Sequence, residues 1–291
     1  MKIINNKLII SVVIAVLTIG FTGFNGAYTY AATSPTLTGA GSYSVLGATT
    51  VTNTGPTTTS GDVGVTPGTA ITGFPPGIAG GNNATHLHSN DASAIAAQSD
   101  NVSTFGALDQ TCDFSYPSGQ DLTLLSPLVP GTYCSVGSFL LTGNLTLSGS
   151  GVWIFKTVSS LVTSPGSSVT GGDPCNVWWR IGSSASLDTT TSFIGNILAL
   201  TSITLNTGAT LNGRALAQTG SVTLDSNVIT GSTCLTAPFI PTPTVPTLPN
   251  TGLEMKNNGS WTPWITSIVT IFIVSLSTFV IRKKVLFSKR Q

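Results

Sequence analysis

Charge is scarce in this 291-residue chain: 7% of residues are charged, and most of the basic ones sit at the two ends. Lys2 and Lys7 open the chain; Lys256, Arg282, Lys283, Lys284, Lys289 and Arg290 close it. Between Pro35 and Thr247 only Lys156, Arg180 and Arg214 oppose Asp62, Asp91, Asp100, Asp109, Asp113, Asp121, Asp173, Asp188 and Asp225. The formal net charge of +1 therefore hides a mildly acidic middle, which excludes a nucleic-acid partner held through its phosphates. Histidine is confined to His86-Leu87-His88, with no third His and no CxxC spacing, so no metal set is expected. That pair reads as part of a loop or cap. GxSxG and Cys–His constellations are missing as well. Asp62, Asp188 and Asp225 stand beside Gly, Thr or Ser, the setting of turns rather than of a carboxylate pair. Neither an enzyme nor a cofactor is expected. Disorder is excluded too, since 41% of residues are hydrophobic.

What is present is a repeat. Ser184–Thr201 and Ser202–Thr219 align without a gap: Leu187 falls on Leu205, Phe193 on Leu211, Gly195 on Gly213 and Leu198-Ala199 on Leu216-Ala217. Ser221–Gly231 begins a third copy, Ser160–Gly171 is another, and Asp62–Gly73 aligns with it residue for residue. A period near eighteen with short alternating segments and small turn residues marks stacked β-coils; α-solenoid repeats need about 33–47 residues. The fold class is all-β, a three-faced β-solenoid.

Alternation along each strand assigns faces. The outward column of the first face reads Gly64, Val162, Ser186, Thr204 and Thr223. The second face presents Ala70 and Thr72, Ser168 and Thr170, Ser192 and Ile194, Thr210 and Asn212, Val228 and Thr230. Third strands such as Val152-Trp153-Ile154-Phe155, Val177-Trp178-Trp179 and Ala215-Leu216-Ala217 are apolar on both sides, so something must cover them. That reading places Trp178-Trp179 in the core or under the cover rather than on a sugar platform. The covering element is a helix at about 89–110, capped by Ser89, Asn90 or Asp91. Its expected buried stripe is Ala92, Ile95, Ser99, Val102, Phe105 and Leu108 or Asp109.

The ends carry addresses. Residues 1–32 read as a secretory signal peptide, with Leu8 to Phe21 apolar and Thr29-Tyr30-Ala31 as the small-residue cleavage site. Four cysteines in an exported chain suggest two disulfides. Three pairings are open; 112–134 and 175–234 are favoured, the first closing an irregular excursion between Cys112 and Cys134, the second pinning the last coil between Cys175 and Cys234. Residues 235–247 are Pro-rich and read as an extended spacer. Leu248-Pro249-Asn250-Thr251-Gly252, the apolar span 261–281 and a basic tail follow. The span is long enough to cross a membrane, and the positive cluster holds the tail on the cytoplasmic side. Motif, span and tail together (248–291) resemble the cell-wall sorting signal cut by sortases of Gram-positive bacteria. That resemblance implies cleavage between Thr251 and Gly252, with sortase and peptidoglycan as partners of a surface protein anchored to the wall.

Residues 33–234 form the working domain. Pro67 to Gly77, Gly195-Asn196-Ile197-Leu198-Ala199, Ile203-Thr204-Leu205 and Asn212-Gly213-Arg214-Ala215-Leu216-Ala217 closely resemble the microbial ice-binding proteins with a discontinuous β-solenoid, a likeness covering about Leu37 to Cys234. The resemblance implies a right-handed β-helix with a long helix alongside, the N-terminal coil packed next to the C-terminal one, and a monomeric domain. It also implies an ice crystal as partner, met through a flat face bearing Thr-Ala/Gly-x-Thr/Asn. Thr69-Ala70-Ile71-Thr72 matches that pattern fully, Ser167 to Thr170 and Ala209 to Asn212 in part; Thr191 to Ile194 and Asn227 to Thr230 depart from it. The expected ice-binding set is Thr69, Ala70, Thr72, Ser168, Thr170, Ser192, Thr210, Asn212, Val228 and Thr230. The alternative is a structural or adhesive wall protein whose same face meets a glycan or another protein.

Overall fold

The computed structural model describes residues 32–231. The expected signal peptide up to Ala31, Cys234, the Pro-rich segment, the expected sorting motif and the apolar span lie outside the described residues. Each coil winds through three short strands, and every ladder between coils is parallel. The first face is an eight-stranded sheet in the spatial order Ala70–Thr72, Thr50–Thr54, Val222–Asp225, Ile203–Leu205, Ala185–Leu187, Leu161–Thr163, Phe139–Leu141, Gln120–Asp121. The second and third faces are joined because Ser192–Ala199 and Thr210–Ala217 each run across both without a break. They fold at Gly195 and Gly213, whose φ values of 109° and 154° disfavour a side chain. A Cβ on Gly213 would also lie 1.9 Å from the Gly195 carbonyl oxygen.

The stacking order is not the chain order. Tyr43–Gly47, Thr50–Thr54 and Thr58–Thr59 pair with the last coil, at Thr210–Ala217, Val222–Asp225 and Val228–Thr230. Asp62–Val65, Ala70–Thr72 and Ile78–Ala79 add the next coil outward. Leu87–Ser89 ends that side, and Phe114–Tyr116 begins the far end of the same third face. The helix Ala92–Ala107 makes the return. Its 16 residues cover about 24 Å at ~1.5 Å each. The third face it follows is roughly 38 Å long at ~4.8 Å per strand, and the flanking segments cover the remainder.

Inside the coils runs an aromatic stack with centroid separations of 4.6 Å for Phe114–Tyr133, 5.3 Å for Tyr133–Phe155, 4.1 Å for Phe155–Trp179 and 4.7 Å for Trp179–Phe193. Toward the N-terminal coils the core narrows to Val45, Val51, Val63, Val65 and Ala79. Trp179 is in this core, whereas Trp178 belongs to the layer beneath the helix with Tyr43, Leu46, Ile154, Leu198 and Leu216. Cys112 and Cys134 form the expected disulfide.

Two expectations fail. The copy at Asp62–Gly73 is displaced by one strand: Asp62–Val65 lies on the third face and Ala70–Thr72 on the first. Gly64 therefore belongs under Tyr43, whose ring would meet a Cβ there at 2.5 Å. Helix orientation is the second. Its buried residues are Ala94, Ala97, Asn101 and Thr104, followed by Leu108, while Ile95 and Val102 are 53% and 54% exposed. The surface beneath already carries large side chains, and the 3₁₀ turn Gly39–Ser42 presses on the helix so closely that a Cβ on Gly39 would lie 3.1 Å from the Ala96 carbonyl. Only small residues fit between.

The helix is also fixed by polar contacts. The Asp91 carboxylate caps it by accepting from Ala94 N–H at 2.8 Å, and that bond is the main reason its pKa lies below the ordinary value. Gln98 Nε2 donates to the Ala217 and Gln218 carbonyls, and Arg180 Nε donates to Phe105 O while its guanidinium lies 4.2 Å above the Phe105 ring. Ala97→Asp is expected to lose roughly 3–5 kcal/mol of stability by burying an unpaired charge. Ile95→Asp should cost under about 1 kcal/mol. Denaturant titration of both variants checks the orientation, which is wrong if Ile95→Asp is the damaging change.

Candidate functional site

The second face is assembled from one four-residue pattern per coil. The tetrads are Thr57 to Ser60, Asn227 to Thr230, Ala209 to Asn212, Thr191 to Ile194, Ser167 to Thr170 and Gly143 to Thr146. The third residue points into the core, as Ile229, Leu211, Phe193, Val169 and Leu145 show. Second and fourth residues point out. Register aligns the second positions as Ile78, Thr58, Val228, Thr210, Ser192, Ser168, Asn144. The fourth positions pair Thr230 with Asn212, Asn212 with Ile194 and Thr170 with Thr146. Neither column contains a charged residue. Neighbours are ~4.8 Å apart along a column and ~6.7 Å across it.

In five of the six tetrads the first residue is not part of this surface; Gly143 is half-buried. Thr57, Asn227, Ala209 and Thr191 are fully buried at the corner between faces, and Ser167 is 2% exposed. Asn227 Nδ2 donates to the Asn206 and Ala209 carbonyls at 3.0 Å each, its backbone N–H donates to Thr57 Oγ1, and Thr163 and Thr191 hydroxyls meet at 2.9 Å. These bonds satisfy corner groups that burial would otherwise leave unpaired. They also fix the height of each coil relative to the next. On the surface itself Ser168 Oγ donates to Asn144 Oδ1 at 2.9 Å, tying two coils.

Of the expected site residues, Ser168, Thr170, Ser192, Thr210, Asn212, Val228 and Thr230 share the second face. Thr69, Ala70 and Thr72 do not: Ala70–Thr72 is the edge strand of the first face. There Thr72 continues the column Thr52, Thr223, Thr204, Ser186, Val162, Leu140. At one end Thr50 and Ala70 pair beside this column; at the other it grows apolar and then reaches Asp121. Asp188 stands just before a turn and accepts from Thr189 N–H, while Asp225 ends the strand Val222–Asp225, in register with Thr54, and accepts from the Ser226 hydroxyl.

The sequence reading missed Thr58, Ser60, Asn144 and Thr146 on the second face. Thr58–Thr59 is a two-residue strand with no apolar residue at its inward position. Asn144 to Ser168 and Ser168 to Ser192 are steps of 24, against 18 from Ser192 to Thr210, so an eighteen-residue frame passes over the earlier coils. A frame that allows longer corners recovers them.

Among the described residues no group of three or more His, Cys, Asp or Glu could hold a metal ion. His86 Nδ1 pairs with Asp62 at 2.6 Å and His88 Nδ1 with Asp91 at 2.8 Å, which ties the terminal strand to the helix cap.

The chain belongs to the Ice-binding-like family, which matches residues 45–230. It is 44% identical over 206 residues to an ice-binding protein of Nostoc sp. (strain HG1), covering 68% of this chain and 74% of that one. An ice-binding protein from an Antarctic biological consortium superposes with a TM-score of 0.61 at 38% identity, over 68% of this chain and 91% of the other. That of the Antarctic ascomycete Antarctomyces psychrotrophicus gives 0.61 at 36% identity, over 69% and 99%.

The corner bonds give a direct test of what holds the grid. Asn227→Ala should lower stability by about 1–3 kcal/mol, because it removes the side-chain partners of the Ala209 carbonyl and the Asp225 N–H. The adjacent exposed Val228→Ala should change it by less than about 0.5 kcal/mol. Equal effects in thermal unfolding would refute a structural role for the corner amide.

Proposed function

We propose that the protein binds ice through the second face, using Thr58, Val228, Thr210, Ser192, Ser168 and Asn144 with Ser60, Thr230, Asn212, Ile194, Thr170 and Thr146. One observation carries this: two uncharged columns in register, repeated coil after coil. A crystal surface is a repeating ligand, so it rewards a repeating receptor. Methyls and hydroxyls alternate there, and a β-branched Thr has few χ1 states to lose on contact. Water above the face is held by hydroxyls at fixed spacing without the strong local ordering that a charge imposes. The first face is less suited, since its outward column runs through Val162 and Leu140 to the acidic Asp121.

Export and wall anchoring belong to the same proposal. The basic-apolar-small order of residues 1–32 supports secretion, and Leu248 to Gly252 with the apolar span 261–281 and its basic tail supports sortase transfer to peptidoglycan. Right-handed winding follows the general rule for parallel crossovers. A tethered, monomeric domain would restrain ice next to the cell or hold the cell against it.

Two results test these readings. Thr210→Tyr or Thr170→Tyr should abolish partition into a slowly growing ice hemisphere with stability within about 0.5 kcal/mol of the parent. Thr204→Tyr and Thr223→Tyr should be silent, and the reverse outcome would transfer the site to the first face. Mass spectrometry of wall-digested surface protein should find Thr251 as the last residue. Peptides from Lys256 onward would mean a plain membrane anchor instead.

A further inference from the structure

The segment just after the expected leader is bound along the molecule rather than left as a tail. Thr33 and Gln110 exchange two hydrogen bonds, Thr33 N–H to Oε1 at 2.9 Å and Nε2 to the Thr33 carbonyl at 2.8 Å. Ser34 Oγ accepts from Trp178 Nε1 at 2.9 Å and donates to the Cys175 carbonyl. Leu37 and Ala32 pack against the cluster under the helix. Thr38 and Ala40 N–H both donate to Asp100 Oδ2, at 2.7 and 3.0 Å. The strap therefore closes the gap between the C-terminal end of the helix and the third face.

At the start of this strap lies a groove of about 490 Å³ lined by Ala32, Thr33, Asp109, Asp113 and Thr132 among others. Asp109 binds Lys156 Nζ at 2.8 Å, and Asp113 Oδ2 accepts the Thr132 N–H at 2.8 Å. Two carboxylates thus line the groove that Ala32 also lines, Asp109 with Arg180 Nη2 3.9 Å away as well, in a chain with few acidic groups to place.

We infer that leader removal hydrolyses the Ala31–Ala32 bond and that the new Ala32 ammonium seats in this groove beside Asp113 and Asp109, completing the strap. Water adds across the peptide bond, leaving a carboxylate on Ala31 and the ammonium on Ala32. The inference rests on the export reading and moves the end of the leader by one residue, keeping Ala32 in the mature protein. A cut further on would remove Ala32 or Thr33 and with them packing or the Gln110 bonds. An uncut chain would place an uncharged amide in this groove instead of an ammonium.

The full precursor, expressed in a secreting Gram-positive host, should yield exported protein whose N-terminal sequence begins at Ala32. Retention of residues 1–31 would overturn the export reading and the cut together. A start at Thr33 or later would overturn the inference and leave export standing. The seat is tested separately on purified protein starting at Ala32. Acetylating its α-amine should lower Tm by about 1–3 °C, the scale of a partly exposed ion pair in a domain of this size. Asp113→Asn should lower Tm similarly, and acetylation should then have no further effect. An unchanged Tm on acetylation, or an equal loss in Asp113→Asn, would refute the seat.

Discussion

Parallel register between coils is the constraint from which the other features follow. Each backbone group of a strand bonds to the strand above or below, so a slip of one residue would turn every inward side chain outward. The coils therefore need devices that fix their relative height. Gly195 and Gly213 allow one strand to turn from the second face to the third, and the contact between them leaves no space for a side chain. Thr191, Thr163 and Asn227 do the same at the other corner with buried hydrogen bonds. Once register is set, the aromatic stack from Phe114 to Phe193 and the outer columns are consequences of it.

The break in chain order has its own physical logic. A solenoid must end somewhere, and an end exposes unpaired strand edges. Here the first two coils of the chain are stacked onto its last, so the described C-terminal strands Val222–Asp225 and Val228–Thr230 are internal. The helix that makes this possible must cross the third face, which is why that face is apolar outside as well as inside. Burial of Leu46, Leu216, Leu198, Trp178 and Ile154 beneath it removes the surface that ion pairs would otherwise have to compensate. Polar groups fasten the helix at its ends, through Asp91, Arg180 and the Lys156–Asp109 pair, and along its length through Gln98 and Asp100.

Uncharged composition and function are connected through this architecture. A face that meets water as an ordered lattice gains nothing from mobile charged side chains, whose hydration is strong and local. Rigid, short side chains on a rigid frame suit it better, and the frame is rigid because each rung is hydrogen-bonded on both sides. The few aspartates are used for turns and caps, as Asp188, Asp225 and Asp91 show.

The repeat at 184–219 determined the solenoid, the inward row Leu187, Phe193, Leu205, Leu211, and the outward positions of residues 168 to 230. Double-sided apolarity of the third strands required a cover, and the segment near 89–110 was legible as a helix. The spacing of Cys112 and Cys134 favoured their bridge. Tertiary structure alone decided which corner the copy at Asp62–Gly73 turns, and so sent Thr69-Ala70-Ile71-Thr72 to the first face. Strand alternation has a period of two and records inside and outside, but not which of three faces a strand occupies. The helix shows the same limit. Ile95 and Val102 trace a helical stripe as well as Ala94, Ala97, Asn101 and Thr104 do. Which stripe faces inward depends on the size of side chains contributed by Tyr43, Leu46 and Trp178, distant in sequence and adjacent only after folding.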